Sequence, residues 1–106
     1  MNRIERDPEY FRLVDSARAA LRAGHREDAD RLARQALARD PSAGDAYNLL
    51  ALVLERRGES RRAQDLLRAA LAVEPSHRAA MKNLERLTRS GLNDLTPSFG
   101  DEENVP

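Results

Sequence analysis

Residues 44–77 read GDAYNLLALVLERRGESRRAQDLLRAALAVEPSH, and a shift of 34 positions toward the N-terminus places them on residues 10–43 with many identities. A fixed period of this length, with small residues and a proline at set places, is typical of stacked helical repeats. The identities include the pairs Ala17 and Ala51, Arg22 and Arg56, Gly24 and Gly58, Ala29 and Ala63, Ala36 and Ala70, Leu37 and Leu71, and Pro41 and Pro75.

Turn residues divide these repeats into helices. Asp7-Pro8-Glu9 is a helix start, because Asp can cap free N–H groups and Pro at the first helical position loses no donor. Gly24 and Gly58 end the first helix of each unit, while Asp40-Pro41 and Glu74-Pro75 end the second. Apolar residues return at helical spacing between these breaks. The predicted helices span about residues 10–23, 26–39, 42–57, 60–73 and 77–90, the third opened by a capping box of Ser42 and Asp45 and the fifth ended by Gly91.

These boundaries predict one small domain with two extensions. Residues 1–6 are predicted to be a flexible N-terminus, and residues 92–106 a disordered acidic tail, because that composition cannot bury enough apolar surface to fold by itself. The domain spans residues 7–91. Within it we predict repeat 1 at about 10–43, repeat 2 at about 44–77 and a capping helix at about 77–90.

The second unit has large, small and turn residues in a fixed order, at Tyr47, Leu50, Ala51, Leu54, Gly58, Ala63, Leu67, Ala70 and Pro75. This order resembles that of the tetratricopeptide repeat. The first unit has small residues where two large ones are usual, and the third stops after half a unit, where Glu85 takes a small-residue position. The resemblance implies an all-α fold, in which antiparallel helix–turn–helix repeats form a superhelical stack that ends in a C-terminal capping helix. Only the second unit matches the repeat throughout.

Residues 44–77 are thus the only complete repeat, which makes them the expected centre of stability. Alanines let the helices approach closely and leucines fill the space between them. We predict that Leu50→Ala or Leu67→Ala costs about 2–5 kcal/mol, more than any change in the first unit. Glu85 is expected to face water at the end of the stack.

The resemblance also implies that the first helix of each unit lines a concave groove. We name twelve candidate residues for lining this groove. The apolar ones have no evident core role, the basic ones add positive charge, and the two asparagines can form hydrogen bonds with the backbone of an extended peptide. The alternative is that Leu21 and Leu49 are edge-of-core residues and the arginines ordinary surface. The candidate groove residues are Phe11, Val14, Arg18, Leu21, Asp45, Asn48, Leu49, Leu52, Lys82, Asn83, Arg86 and Arg89.

One specialised form of this groove, the clamp for the acidic C-terminal tails of chaperones, does not fit the sequence. The clamp uses Lys, Asn, Asn, Lys and Arg at five groove positions. The chain has Val14, Arg18, Leu49, Ala79 and Asn83 there, so we reject binding of such tails by that mechanism.

Residues that could carry catalysis, metals or cofactors are scarce, so an enzyme is not expected. The chain has no Cys, no Gly-x-Ser-x-Gly motif and no phosphate-binding glycine loop. His25 and His77 are interpreted as solvated turn residues, because neither has a second ligand at the spacing of a helical zinc site. We therefore expect no cofactor and no metal.

The hydropathy and charge patterns exclude two further classes of partner. No apolar run is long enough for a signal peptide or a membrane span, so a cytoplasmic protein without membrane insertion is expected. Residues 55–65 contain four arginines, but acids alternate with them and no aromatic residue lies beside them. This pattern favours a solvated, salt-bridged turn over a nucleic-acid site. The preference for Arg over Lys is typical of a GC-rich bacterial genome.

Two functional hypotheses remain. Residues 1–91 carry 18 basic and 14 acidic residues, a net charge of +4, whereas four acids and no base follow. The first hypothesis is a non-enzymatic adaptor whose groove binds a protein or peptide, acidic with an apolar anchor, within a larger bacterial assembly. The second is a self-assembling structural module, or homo-oligomer, in which the C-terminal tail docks on its own or a neighbouring chain. The tail combines the apolar residues Leu92, Leu95 and Phe99 with the acids Asp101, Glu102 and Glu103.

Overall fold

A computed structural model of the chain describes residues 7–89 and 96–101. Within these residues it contains five helices and no strand, which confirms the predicted all-α stack of helix–turn–helix repeats with a capping helix. The predicted flexible residues 1–6, Gly91, and the other residues of the tail lie outside the described part of the chain. The helices are α1 (Pro8–Arg22), α2 (Arg26–Arg39), α3 (Gly44–Arg56), α4 (Ser60–Val73) and α5 (Arg78–Thr88).

The predicted turn residues act as expected at most helix ends. The side chain of Asp7 accepts a hydrogen bond of 2.9 Å from the backbone N–H of Glu9, with Pro8 at the first position of α1. Gly24 and Gly58 both have φ of +82°, the left-handed conformation that other residues adopt only with strain. These local signals explain why α2 and α4 begin and end where the sequence predicts.

Helix α3 is the centre of the stack, because it packs against each of the other four helices. Its buried residues contribute to two core clusters, one on each side. The first core cluster comprises Tyr10, Val14, Ala17, Leu21, Ala29, Ala33, Ala36, Ala43, Ala46, Leu49, Leu50, Leu52 and Val53. The second core cluster comprises Ala51, Leu54, Ala63, Leu67, Ala70 and Ala80.

The predicted capping box at the start of α3 is wrong. The residue before α3 is Ala43, which offers no side-chain cap. Ser42 instead lies in a local turn, where its backbone N–H donates to Oδ1 of Asp40 over 3.0 Å. Asp45 points elsewhere and contacts His77. The box fails because Asp40 lies two residues before Ser42 and satisfies it locally.

Distant side chains cap α3 in place of the box. The backbone N–H of Gly44 donates to Oε1 of Glu74 over 3.0 Å, and that of Ala46 donates to the buried hydroxyl of Tyr10 over 3.3 Å. Tyr10 comes from α1 and Glu74 from the end of α4. The N-terminus of α3 therefore depends for its hydrogen bonds on α1 of the preceding unit and on the end of α4 in its own unit.

The expectation that His77 is a solvated turn residue is also wrong, since the residue is only 7% exposed. Its Nδ1 accepts a hydrogen bond of 3.1 Å from the backbone N–H of Ala80, so the ring caps α5. Its Nε2 lies 2.6 Å from Oδ1 of Asp45. Burial lowers the pKa of His77, but the hydrogen bond to Asp45 raises it, and the net direction is upward from 6.5. His77 thus ties α5 to α3.

The open end of the stack behaves as predicted. Glu85 is exposed and forms an ion pair with Arg89 one turn later on α5. Met81 is also exposed, by 47%. No second helix packs behind α5 within the described residues, so a charge at this position meets water without cost.

Candidate peptide-binding groove

The first helices of the three units, α1, α3 and α5, lie side by side, and residues 96–101 run across them. We call these residues, with the sequence TPSFGD, the TPSFGD segment. The groove is the surface that contacts them, and its central residues are Arg18 and Arg22 of α1, Asn48 of α3, and Ala79 and Asn83 of α5.

Two buried asparagines bind the backbone of the segment at Ser98. Asn83 donates from Nδ2 to the Ser98 carbonyl over 2.8 Å and accepts from the Ser98 N–H over 2.8 Å. Asn48 donates to the same carbonyl over 3.2 Å, and its own Oδ1 accepts from Asn83 over 2.8 Å. Both asparagines are 0% exposed. The pair therefore binds an extended backbone without using the Ser98 side chain.

The ring of Phe99 is the apolar contact of the segment. It packs against the first core cluster. The guanidinium of Arg22 lies 4.7 Å from the ring centroid and that of Arg56 lies 5.9 Å from it. Both are within reach of a cation–π attraction. The backbone carbonyl of Phe99 also accepts from Nε of Arg18 over 3.0 Å.

An ion pair holds the end of the segment. Both terminal nitrogens of Arg22 donate to the carboxylate of Asp101, each over 2.6 Å, and Nε of Arg18 lies 3.8 Å from it. The hydrogen bond from Arg22 lowers the pKa of Asp101 below its ordinary value of 3.8. Two parallel N–H···O bonds give this pairing a defined direction as well as charge complementarity.

Gly100 lies between these contacts. Its φ is +97°. A Cβ at this position would lie 3.4 Å from Nη2 of Arg18, 3.6 Å from Oδ1 of Asp45 and 3.9 Å from Cβ of Ala79. These are ordinary contact distances, so it is the left-handed backbone conformation that favours glycine here.

The apolar candidates from the sequence are part of the core rather than free groove surface. Val14, Leu21, Leu49 and Leu52 are at most 2% exposed and all belong to the first core cluster. The edge-of-core interpretation of Leu21 and Leu49 therefore describes them better than the groove interpretation. Phe11 is the exception, since it is 43% exposed and its ring lies edge-on to Tyr10.

Of the four basic candidates, one contacts the TPSFGD segment and the other three are described by contacts elsewhere. Arg18 contacts the TPSFGD segment, whereas Arg86 forms two hydrogen bonds to Glu55, of 2.5 and 2.7 Å, and is 8% exposed. Arg89 pairs with Glu85. Lys82 lines a shallow depression with Arg78, Met81 and Leu71, on the side of α5 that faces α4. Lys82 and Arg89 are thus not brought together with Asn83.

Sequence reasoning missed Arg22 and Arg56, the two cations beside Phe99. They occupy the same position in successive repeats, in the last turn of α1 and of α3. Their identity after a shift of 34 residues was the available signal. Arg56 has a second role, because its Nη1 donates to the carbonyl of Leu21 over 2.7 Å at the end of α1.

The arginine-rich turn of residues 55–65 forms ion pairs, one within the turn, as the alternation of charges predicts, and one with α2. Arg57 lies 3.0 Å from Asp30, and Arg62 lies 2.6 Å from Glu59. Within the described part of the chain, no three acidic or histidine side chains are grouped closely enough to hold a metal ion. None of the helices described has the length and apolarity that a bilayer span requires.

Comparison with known proteins identifies the repeat. Searches of curated proteins and of solved structures found no match. The family model described as "Tetratricopeptide repeat" matches residues 14–60, which contain most of α1 and all of α2 and α3. Proteins of this family are in general non-enzymatic modules for protein–protein interaction. The match, which covers fewer than half of the residues, and the stack of helix–turn–helix units are both consistent with a tetratricopeptide repeat assignment.

Proposed function

We propose that the chain is a cytoplasmic, non-enzymatic adaptor whose groove binds an extended protein segment, acidic with an apolar anchor, within a larger bacterial assembly. The observation that carries this proposal is the pair of buried amides, Asn48 and Asn83, which together bind both the backbone N–H and the backbone C=O of one residue, Ser98. Such bonding requires an extended backbone and tolerates many side chains.

Charge complementarity supports an acidic partner. Arg18 and Arg22 face the groove, and both lie near the one carboxylate that the described segment offers, that of Asp101. Arg18 is 12% exposed, so its charge is partly shielded from water. Interactions of such a charge are screened less than those of a fully exposed arginine.

The test is partner capture with paired charge variants of the full chain. Proteins retained from an extract of the native host are identified, and the affinity of each retained segment is measured for wild-type protein and for the double variant Arg18→Glu/Arg22→Glu. We expect the affinity to fall at least tenfold and to become less sensitive to salt. Arg68→Glu is the control, because Arg68 lies on α4 and pairs with Asp65. Equal affinity for all three proteins contradicts a role for the groove.

Self-assembly is the second candidate function, and the position of residues 96–101 favours it. The contacts that these residues make within one chain could equally be made by a neighbouring copy. Light scattering on the full chain and on Phe99→Ala tests this candidate. A mass above that of the monomer that falls on Phe99→Ala supports assembly through the segment, and monomeric mass for both proteins rejects it.

A further inference from the structure

We propose that the TPSFGD segment is an internal competitor for the groove, and that the partner segment presents the same groups in the same order. Those groups are the backbone N–H and C=O of one residue, an aromatic ring, a glycine and a carboxylate. This inference rests on the proposed function, because it names the chemistry of the partner and the contact that the partner must displace.

The last four residues of the segment, residues 98–101, each meet a different requirement of the groove. We number them as positions one to four. At Ser98 only the backbone is bound, by Asn83 and Asn48. At Phe99 the ring packs on the first core cluster beside the Arg22 guanidinium. The groove therefore selects little at the first position and an aromatic residue at the second.

The third and fourth positions, Gly100 and Asp101, restrict the type of residue more strongly. Gly100 has φ of +97°, a left-handed conformation that other residues adopt only with strain, although a Cβ there would make only ordinary contacts with Arg18 and Asp45. Asp101 receives two hydrogen bonds of 2.6 Å from Arg22. The contacts thus specify a residue of any type, then an aromatic residue, then glycine, then an acid. A ligand with alanine at the third position is disfavoured by its backbone alone.

Competition follows from the covalent connection. The segment begins a few residues after α5 in the sequence. A tethered ligand at such a separation has a local concentration in the millimolar range. The apparent affinity of an external segment is then reduced in proportion to the fraction of molecules whose groove is free. The net charge of +4 up to residue 91 and the acids that follow it favour the same docked arrangement.

The experiment uses the full chain labelled with 4-fluorophenylalanine. The sequence contains two phenylalanines, Phe11 and Phe99, so the fluorine NMR spectrum has two signals. The signal that disappears in Phe99→Leu is that of Phe99. Asp101→Asn together with Arg22→Gln gives the signal position of an undocked Phe99. A capped TPSFGD peptide is then titrated into the labelled wild-type protein, with TPSFAD and TPSAGD peptides as matched controls.

We expect the TPSFGD peptide to move the Phe99 signal to its undocked position, while the control peptides need at least tenfold higher concentration. Binding of the same peptide, measured by fluorescence anisotropy, should be at least tenfold tighter for Phe99→Ala than for wild type. Val73→Ala, at the far end of α4, should match wild type. Three results overturn the inference: a Phe99 signal already at the undocked position, a signal that the peptide leaves in place, or one that depends on protein concentration. The last result assigns the occupant to a second copy.

The two proposals fail in different ways. A native partner that binds in an Arg18-dependent manner, but leaves the Phe99 signal in place, overturns the competition and supports the adaptor. Displacement of Phe99 by the TPSFGD peptide, with every native partner insensitive to Arg18→Glu/Arg22→Glu, supports the competition and overturns the adaptor.

Discussion

Replacement of Leu67 by alanine tests whether the second repeat is the centre of stability. Leu67 is 0% exposed and lies in the second core cluster beside Ala51, Ala63 and Ala80. Truncating a buried leucine typically costs about 2–5 kcal/mol, the transfer free energy of the lost carbons plus a cavity term. Four of the five other buried members of this cluster are alanines, which have no rotamers with which to fill the cavity, so we expect the upper half of that range, about 3–5 kcal/mol.

Leu13→Ala is the matched comparison within the first repeat. Leu13 is only partly buried and packs on the outside of the first core cluster. Its truncation removes less buried area and opens no closed cavity, so we expect a loss of about 1–2 kcal/mol. Because both substitutions remove the same atoms, the difference between their losses of unfolding free energy reports how deeply each leucine is buried.

The assay is urea unfolding followed by the helical circular dichroism signal. With a denaturant slope of about 1–1.5 kcal/mol per molar for a small domain, the midpoint should fall by about 2–5 M for Leu67→Ala and by about 0.7–2 M for Leu13→Ala. Leu67→Met is measured beside them, because a conservative change keeps the volume and ensures one folded variant at this position. Equal losses for Leu13→Ala and Leu67→Ala refute the reasoning.

The structure changes part of the stability ranking of leucine-to-alanine substitutions that the repeat pattern predicts. The sequence predicts that every change in the first repeat costs less than Leu50→Ala or Leu67→Ala. Leu21, however, is 0% exposed within the first core cluster. Leu21→Ala should therefore cost about as much as Leu67→Ala, about 3–5 kcal/mol. The sequence ranking applies to Leu13 but not to Leu21.

Three further measurements test individual contacts. His77→Ala should lower the free energy of unfolding by about 1–3 kcal/mol, because it removes the cap of α5 and leaves Asp45 without this partner; the urea midpoint checks it. Gly58→Ala should cost about 1 kcal/mol in the same assay, through backbone strain alone, since its φ is +82° and no atom lies within 4 Å of the added Cβ. Docking of Phe99 should be complete at pH values above 3.8, the ordinary pKa of Asp101. It should be lost as the pH falls through the lower pKa of the docked carboxyl group. A pH titration of the fluorine signal checks this, and undocking near pH 6 contradicts it.

Much of the fold was predictable because its signals are local. Helices α2 and α4 begin and end at the predicted residues, since Gly24 and Gly58 precede them and a proline follows each by two residues. The start of α3 was not predictable by the same means. Its caps, Tyr10 and Glu74, lie 30 or more residues away in the sequence, and no local pattern records a tertiary hydrogen bond.

The site was only partly predictable, for a related reason. Arg18, Asn48 and Asn83 follow from the helical positions that face the groove, and all three contact the TPSFGD segment. Periodicity could not show that Arg86 pairs with Glu55 on the neighbouring helix. Nor could it show that an extended segment without periodicity of its own would lie on Arg22.

The two asparagines connect binding to stability. Asn48 and Asn83 are fully buried, and a buried amide left without a partner costs about 1–3 kcal/mol. Their partners are each other, Ser98 and, at 3.5 Å, Arg86, which Glu55 holds in place. When the segment leaves, either water or a partner backbone must take over the bonds at Ser98. An occupant that binds only the folded groove also stabilises it, by about 2.7 kcal/mol at a concentration of one hundred times its Kd. The TPSFGD segment therefore stabilises the same fold whose groove it occupies, and a partner that displaces it must replace that contribution.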